Sequence, residues 1–81
     1  MKLKNLGIYL LPDGREYVAD VLRDDGYSLC PRRSWDVSAR AEYRVGPDGR
    51  LVRRGQPTPW HVRHLTDTGR RAEYPSVRPL L

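Results

Sequence analysis

The sequence predicts a small, mostly β domain: five or six short antiparallel strands in a small barrel or strongly bent meander sheet, with one short helical or 3-10 turn near residues 58–65. Three observations carry that expectation. Two Pro-Asp-Gly triplets, at 12–14 and 47–49, and Asp24-Asp25-Gly26 punctuate the chain at hairpin positions. Between them apolar and polar residues alternate, the period of a strand half buried on a sheet. The chain has 81 residues, 38% hydrophobic and 31% charged, enough for one small core and no second one.

The elements follow in order. Leu6, Ile8 and Leu10 share one face of a first strand. Pro12 at the second position of a turn and Gly14 at the fourth favour a type I turn closed by a left-handed glycine. In the second strand Tyr17, Ala19 and Val21 oppose Glu16 and Asp20, with Arg23 at the exit. Past the Asp24-Asp25-Gly26 hairpin, Tyr27 to Cys30 form a third strand, and 31–40 is a loop anchored by Trp35. Ala41, Tyr43 and Val45 then point one way, Glu42 and Arg44 the other; Leu51 to Arg54 complete the second Pro-Asp-Gly hairpin. Gly55-Gln56-Pro57 breaks it. Thr58 before Pro59 signals a helix start, since a threonine oxygen caps orphan amides and proline suits the first helical position. One or two turns run through Leu65, Asp67-Thr68-Gly69 ends them, and 70–74 form a closing strand. Residues 1–74 thus make one domain, and 75–81, with Pro75 and Pro79, a flexible tail.

Composition removes several classes of function. No apolar run approaches the roughly 20 residues of a membrane span, and the mean hydropathy is -0.73. Lys2 and Lys4 ahead of Leu6-Gly7-Ile8-Tyr9-Leu10-Leu11 imitate a signal peptide, but the apolar stretch is short and enters Pro12-Asp13-Gly14 without a small-residue cleavage site. A single cysteine, Cys30, allows neither an intrachain disulfide nor a four-cysteine zinc site, and suits a reducing cytoplasm. The net charge of +5 is uneven: residues 1–28 carry -1, and residues from 29 onward carry +6 from eleven arginines. Such an excess marks a surface for a polyanion, or serves solubility in a chain with thirteen arginines and two lysines.

Four constellations invite a catalytic or metal reading, and each has a simpler account. Asp67-Thr68-Gly69 matches the tripeptide of aspartic proteases, whose two aspartates share a proton in a dry site. Here Arg70 and Arg71 follow it, and a turn aspartate before a terminating glycine explains it better. His61, His64 and Asp67 recur every three residues, which on a helix suggests metal ligands; the nearby arginines disfavour a cation, and surface histidines are the alternative. Arg32 and Arg33 would activate Cys30, yet a lone strand cysteine behaves as a small buried hydrophobe. Ser28, Ser34, Ser38 and Ser76 lack the glycines of a nucleophile elbow, and no phosphate-cradling loop leads into a helix. No catalytic residue, cofactor or metal is expected.

Five tyrosines, Trp35 and Trp60 supply the aromatic content. Trp60, ahead of Val62 and Leu65, is assigned to the core; Trp35, between Arg33 and Asp36, suits either a core or a binding surface. The candidate binding set is Arg32, Arg33, Trp35, Arg44, Arg53, Arg54, Arg63, Arg70 and Arg71. The favoured function is a non-catalytic interaction module engaging another protein or a second copy of itself, with Trp35 as anchor. The alternative is an RNA- or DNA-binding domain using the arginine-rich second part.

In strand order and in the turn before the last strand, the chain resembles an SH3-like small barrel. It is also similar to small uncharacterised bacterial proteins that pair a Pro-Asp-Gly-Arg-Glu hairpin, here residues 12–16, with a Gly-Gln-Pro-Thr, Trp, Asp-Thr-Gly stretch, here 55–69. The first resemblance implies the barrel or bent meander; neither implies functional residues. The chain lacks the acidic, aromatic-rich first loop with which SH3 domains bind polyproline.

Overall fold

The computed structural model describes residues 3–22, 26–37 and 40–73. Among these residues seven strands form one antiparallel sheet: β1 (Gly7–Leu10), β2 (Glu16–Leu22), β3 (Gly26–Pro31), β4 (Tyr43–Val45), β5 (Arg50–Arg53), β6 (Gln56–His61) and β7 (Thr66–Arg71). Single 3-10 turns cover Arg32–Ser34 and Val62–His64. The strands lie in the order β6-β5-β4-β3-β2-β1-β7, so consecutive strands are neighbours until β7, which crosses to the far side of β1. The fold is therefore mostly β, as the turn spacing and alternation indicate.

The sheet is strongly bent, and the chain itself requires it. A flat sheet would separate β6 from β7 by six strand spacings, about 29 Å at 4.8 Å each. The link from His61 to Thr66 reaches at most about 18 Å fully extended. The sheet must curl so that its two ends approach, although no ladder joins β6 to β7 and the barrel stays open.

Both Pro-Asp-Gly turns form as their residues dictate. Gly14 N–H donates to Leu11 O at 2.9 Å, Leu11 N–H to Arg15 O at 3.0 Å, and Arg15 N–H to the Asp13 carboxylate at 2.9 Å. The second turn repeats this geometry with Gly49 to Gly46 O, Gly46 to Arg50 O, and Arg50 N–H to Asp48 Oδ1. Gly14 and Gly49 have φ near +90°, the left-handed conformation that closes the turn. β2 and β3 pair from Leu22↔Gly26 to Tyr17↔Pro31; Asp24 and Asp25 lie outside the described residues, as does the tail from 74.

The main core lies inside the curl. Tyr9, Leu11, Tyr17, Ala19, Leu29, Tyr43, Leu51, Val62 and Leu65 are buried there with Leu3, and Tyr27, Val45 and Trp60 pack at its margin. A smaller cluster of Ile8, Val18, Cys30, Trp35 and Ala72 fills the other face, against Leu6. β1 to β3 are thus covered on both sides, whereas the alternation alone implied one buried face. Trp35 is the lid of the second cluster: the first 3-10 turn brings it across the sheet, and its indole N–H donates to Glu73 O at 2.6 Å.

The segment after 54 departs from expectation. In place of a break and a helix start, Arg53↔Gln56 closes a two-residue hairpin through Arg54 (φ 53°) and Gly55 (φ 76°), both with the positive φ of a type I′ turn. The closing pair is hydrogen-bonded, so the next pair, Val52↔Pro57, is not, and the Pro57 nitrogen faces the open edge where no donor is needed. The Thr58 hydroxyl donates to Leu51 O at 2.7 Å, tying β6 to β5 and not capping a helix. The helical content near 58–65 is only the 3-10 turn at Val62–His64. His61 caps it: Arg63 N–H donates to His61 Nδ1 at 3.2 Å, and His61 N–H to His64 Nδ1 at 3.0 Å. The last strand begins at Thr66, earlier than alternation indicated, because Asp67-Thr68-Gly69 lies inside β7 and forms its irregularity against β1.

Candidate functional site

A basic concavity runs along the first 3-10 turn, β4 and β5. Its larger part, about 860 Å³, is lined by Arg40, Arg44, Arg53 and Arg54 with Pro31, Ser34, Glu42, Tyr43 and Val52. A smaller hollow of about 370 Å³ adjoins it through Pro31 and Glu42 and is lined by Gly14, Arg15, Glu16, Tyr17, Arg32 and Arg33. Together they gather seven arginines and two glutamates.

Local structure explains the gathering. Arg44 sits opposite Ser28 and Val52 on the outer face of the sheet, because Tyr43 and Val45 turn inward. Arg54 is placed by the type I′ turn, where a non-glycine residue is held in a left-handed conformation. Arg32 and Arg33 form the 3-10 turn that carries Trp35 to the core.

The charges are only partly compensated. Glu42, mostly buried, holds Arg15 and Arg53, each at 3.9 Å, and Arg32 reaches Asp36 at 3.7 Å. Among the described residues, Arg33, Arg40, Arg44 and Arg54 have no ion pair or side-chain hydrogen bond. Their guanidinium forks are free for a planar, bidentate anion such as phosphate or carboxylate. The aromatic residues of the concavity, Tyr17 and Tyr43, are buried with rings edge to face at 5.5 Å, so among the described residues no exposed ring offers a stacking platform there.

Of the residues singled out from sequence, the fold brings Arg32, Arg33, Arg44, Arg53 and Arg54 together. Arg63 lies on the second 3-10 turn. Arg70 and Arg71 lie on β7 at the opposite end of the strand order, Arg70 paired with Glu16 and Arg71 donating to Asn5 O. Trp35 is corrected: at 1% exposure it is a core residue and presents no surface anchor. Trp60 packs against the main core and meets His64 edge to face. Arg40, one of the arginines of the basic second part, joins them; Arg15 and Glu42 enter the concavity without any signal in the linear sequence, since they lie far apart in the chain.

The chemical constellations are placed as follows. Asp67 is exposed; the Gly69 N–H and then Lys4, 3.2 Å away, hold its carboxyl below the usual range. That setting is the reverse of a dry carboxylate pair sharing a proton. His61 is occupied on both ring nitrogens, Nε2 against Asp48 O at 2.8 Å and Nδ1 as acceptor, which assigns the proton to Nε2. Among the described residues no three His, Cys, Asp or Glu side chains gather as a metal site. Cys30 is buried, and burial pushes its thiol up, away from a reactive thiolate. Among the described residues no helix is long and apolar enough to cross a membrane. No protein-family model, curated protein or solved structure matches the chain.

Proposed function

We propose that this domain is a non-catalytic module that binds the phosphate backbone of nucleic acid along the concavity of the first 3-10 turn, β4 and β5. One observation carries the reading: seven arginines line a continuous depression, and four of them are uncommitted among the described residues. Isolated surface arginines serve solubility, whereas a concave cluster focuses potential and raises the local concentration of a polyanion. Without an exposed ring for stacking, binding rests on phosphate contacts and is indifferent to base sequence. The protein-partner reading built on Trp35 loses its anchor to the core. A protein contact would instead use the outer edge of β7, since Pro57 and Pro59 blunt the other edge of the sheet at β6.

Fluorescence anisotropy with labelled single- and double-stranded DNA and RNA over a series of salt concentrations tests the proposal. Four phosphate contacts give a slope of log K against log salt of roughly -3 to -4 on duplex DNA. Replacing Arg44 and Arg54 by glutamate weakens binding and flattens that slope by about 2. Absence of binding at low salt, or a slope unchanged in the double variant, refutes the assignment.

A further inference from the structure

The hollow over Tyr17 holds a group that the backbone-binding reading does not use. Tyr17 is 1% exposed, and its hydroxyl is the only described buried side-chain polar atom without a hydrogen-bond partner. An unmade bond in such a place is destabilising, so a native chain normally removes the hydroxyl or gives it a partner. Arg15 is its polar neighbour and acts on the phenol first as a hydrogen-bond donor and then as a charge, in a geometry short of a full hydrogen bond. Arg15 is itself loosely held, 3.8 Å from Asp13 and 3.9 Å from Glu42, with its side chain 55% exposed.

We propose that this hollow is a binding site for a phosphate monoester carried on a flat ring, the chemistry of a nucleoside monophosphate, either free or at the end of a strand. The size fits: about 370 Å³ lies within the range of small-ligand sites. The lining supplies what each part of the ligand needs. Pro31 and Gly14 give the apolar walls that a planar body buries against. Arg33, uncommitted among the described residues, and Arg15, once turned from its distant carboxylates, give two guanidinium forks for the phosphate oxygens. The phenol donates a third bond, and burial, with Arg15 opposing it, pushes its ionisation up to about 12, so it stays a donor at physiological pH. Glu42 is the competing anion, and at 3.9 Å it is a weak one, since neither of its contacts to Arg15 and Arg53 is of hydrogen-bond length. The site is the smaller end of the depression: Tyr17 and Arg33 line only that hollow, which meets the larger part at Pro31 and Glu42.

The test is a titration of the full chain, followed by two-dimensional NMR, with the four nucleoside 5′-monophosphates, the matching nucleosides and inorganic phosphate. A nucleoside monophosphate binds saturably in the millimolar range or tighter, and the nucleoside or inorganic phosphate alone at least tenfold more weakly, by about one lost charged contact or one lost apolar wall. Tyr17→Phe and Arg33→Ala each weaken binding by about tenfold with shift changes confined to 14–17 and 31–33. Tyr17→Phe removes a buried oxygen that makes no hydrogen bond of full geometry, so its urea midpoint stays close to or above that of the parent; Arg33→Ala, at an exposed position, gives an independent reading. A 5′-phosphorylated tetranucleotide that binds more tightly than the monophosphate assigns a strand end as the source, and the reverse order assigns a free nucleotide. Equal binding by both variants, equal binding of 5′-phosphate and 5′-hydroxyl forms, or no saturation overturns the site. Failure of this site and failure of the groove are told apart by their readouts, monophosphate affinity in Tyr17→Phe and Arg33→Ala for the one and the salt slope on long strands for the other.

Discussion

Replacing Trp35 by alanine should destabilise the fold severely. The indole is the largest side chain of the second cluster, 1% exposed, and packs there with Ile8, Val18, Cys30 and Ala72. Trp→Ala in a core costs about 3–5 kcal/mol, from lost transfer energy and the cavity left behind. The upper part of that range applies here, because β1, β2 and β3 are held by ladders and cannot close on the void. The indole bond to Glu73 O adds about 1 kcal/mol that alanine also forfeits. A domain of 81 residues has about 4–12 kcal/mol in total, so the variant should be largely unfolded or close to it at 37 °C. Trp35→Phe keeps the ring and loses the donor, and should cost about 1–2 kcal/mol. Urea unfolding followed by far-UV circular dichroism measures both, with a common m-value as the check on two-state behaviour. A loss under about 1 kcal/mol for Trp35→Ala would mean the indole is not packed as described, and would restore it as a candidate surface residue.

Two more substitutions probe the turn chemistry and the buried phenol. Gly49→Ala places a methyl 2.6 Å from His61 Cε1 and 2.8 Å from Nε2 at a φ of +90°, so it should cost about 2–4 kcal/mol in chemical denaturation and detach His61 from Asp48 O; Gly14→Ala, with open space around it, should cost only the backbone strain of about 1 kcal/mol. Tyr17 ionises near 10 when unfolded and near 12 when folded, so the folded state retains the proton longer. Its contribution is complete below pH 10 and is lost as pH rises through 12; the urea midpoint should fall over that window in the parent and fall less in Tyr17→Phe.

The fold was readable where local chemistry alone decides it. Pro12-Asp13-Gly14 and Pro47-Asp48-Gly49 specify a turn within four residues, and no distant contact changes their answer. Thr58-Pro59 shows the opposite case. Its residues satisfy a helix start as well as an edge strand, and the choice falls to Arg54-Gly55, whose type I′ turn points the chain back along β5. An arginine in a left-handed conformation is invisible to propensity, and so was the strand that follows. Trp35 was ambiguous for a related reason: loop position suggests exposure, but the cluster it covers is assembled from β1, β2 and β3, which no window around residue 35 contains. The concavity was half legible. Arg32-Arg33 and Arg53-Arg54 are adjacent pairs that stand out in the sequence, while Arg15 and Glu42 enter only through the register of the sheet. Tyr17 could not be found by pattern at all, since an unsatisfied hydroxyl is a property of its surroundings.

The crossing of β7 to the far side of β1 sets an order of events in folding. β1 to β6 can zip as successive hairpins, each closing over a short stretch of chain. The pairing of β7 with β1, by contrast, joins residues sixty apart, as in the Thr68 hydroxyl to Ile8 carbonyl bond of 2.7 Å. Closing a loop of that length costs about 3–4 kcal/mol of chain entropy, to be recovered only when the whole strand is seated. Ala72, just past β7, completes the cluster under Trp35, so the two sides of β1 become protected together. On a ribosome, the N-terminal strand would wait with one edge bare until the chain beyond residue 71 emerged. That interval, more than any feature of the finished domain, is when this protein is most exposed to strand exchange with its neighbours.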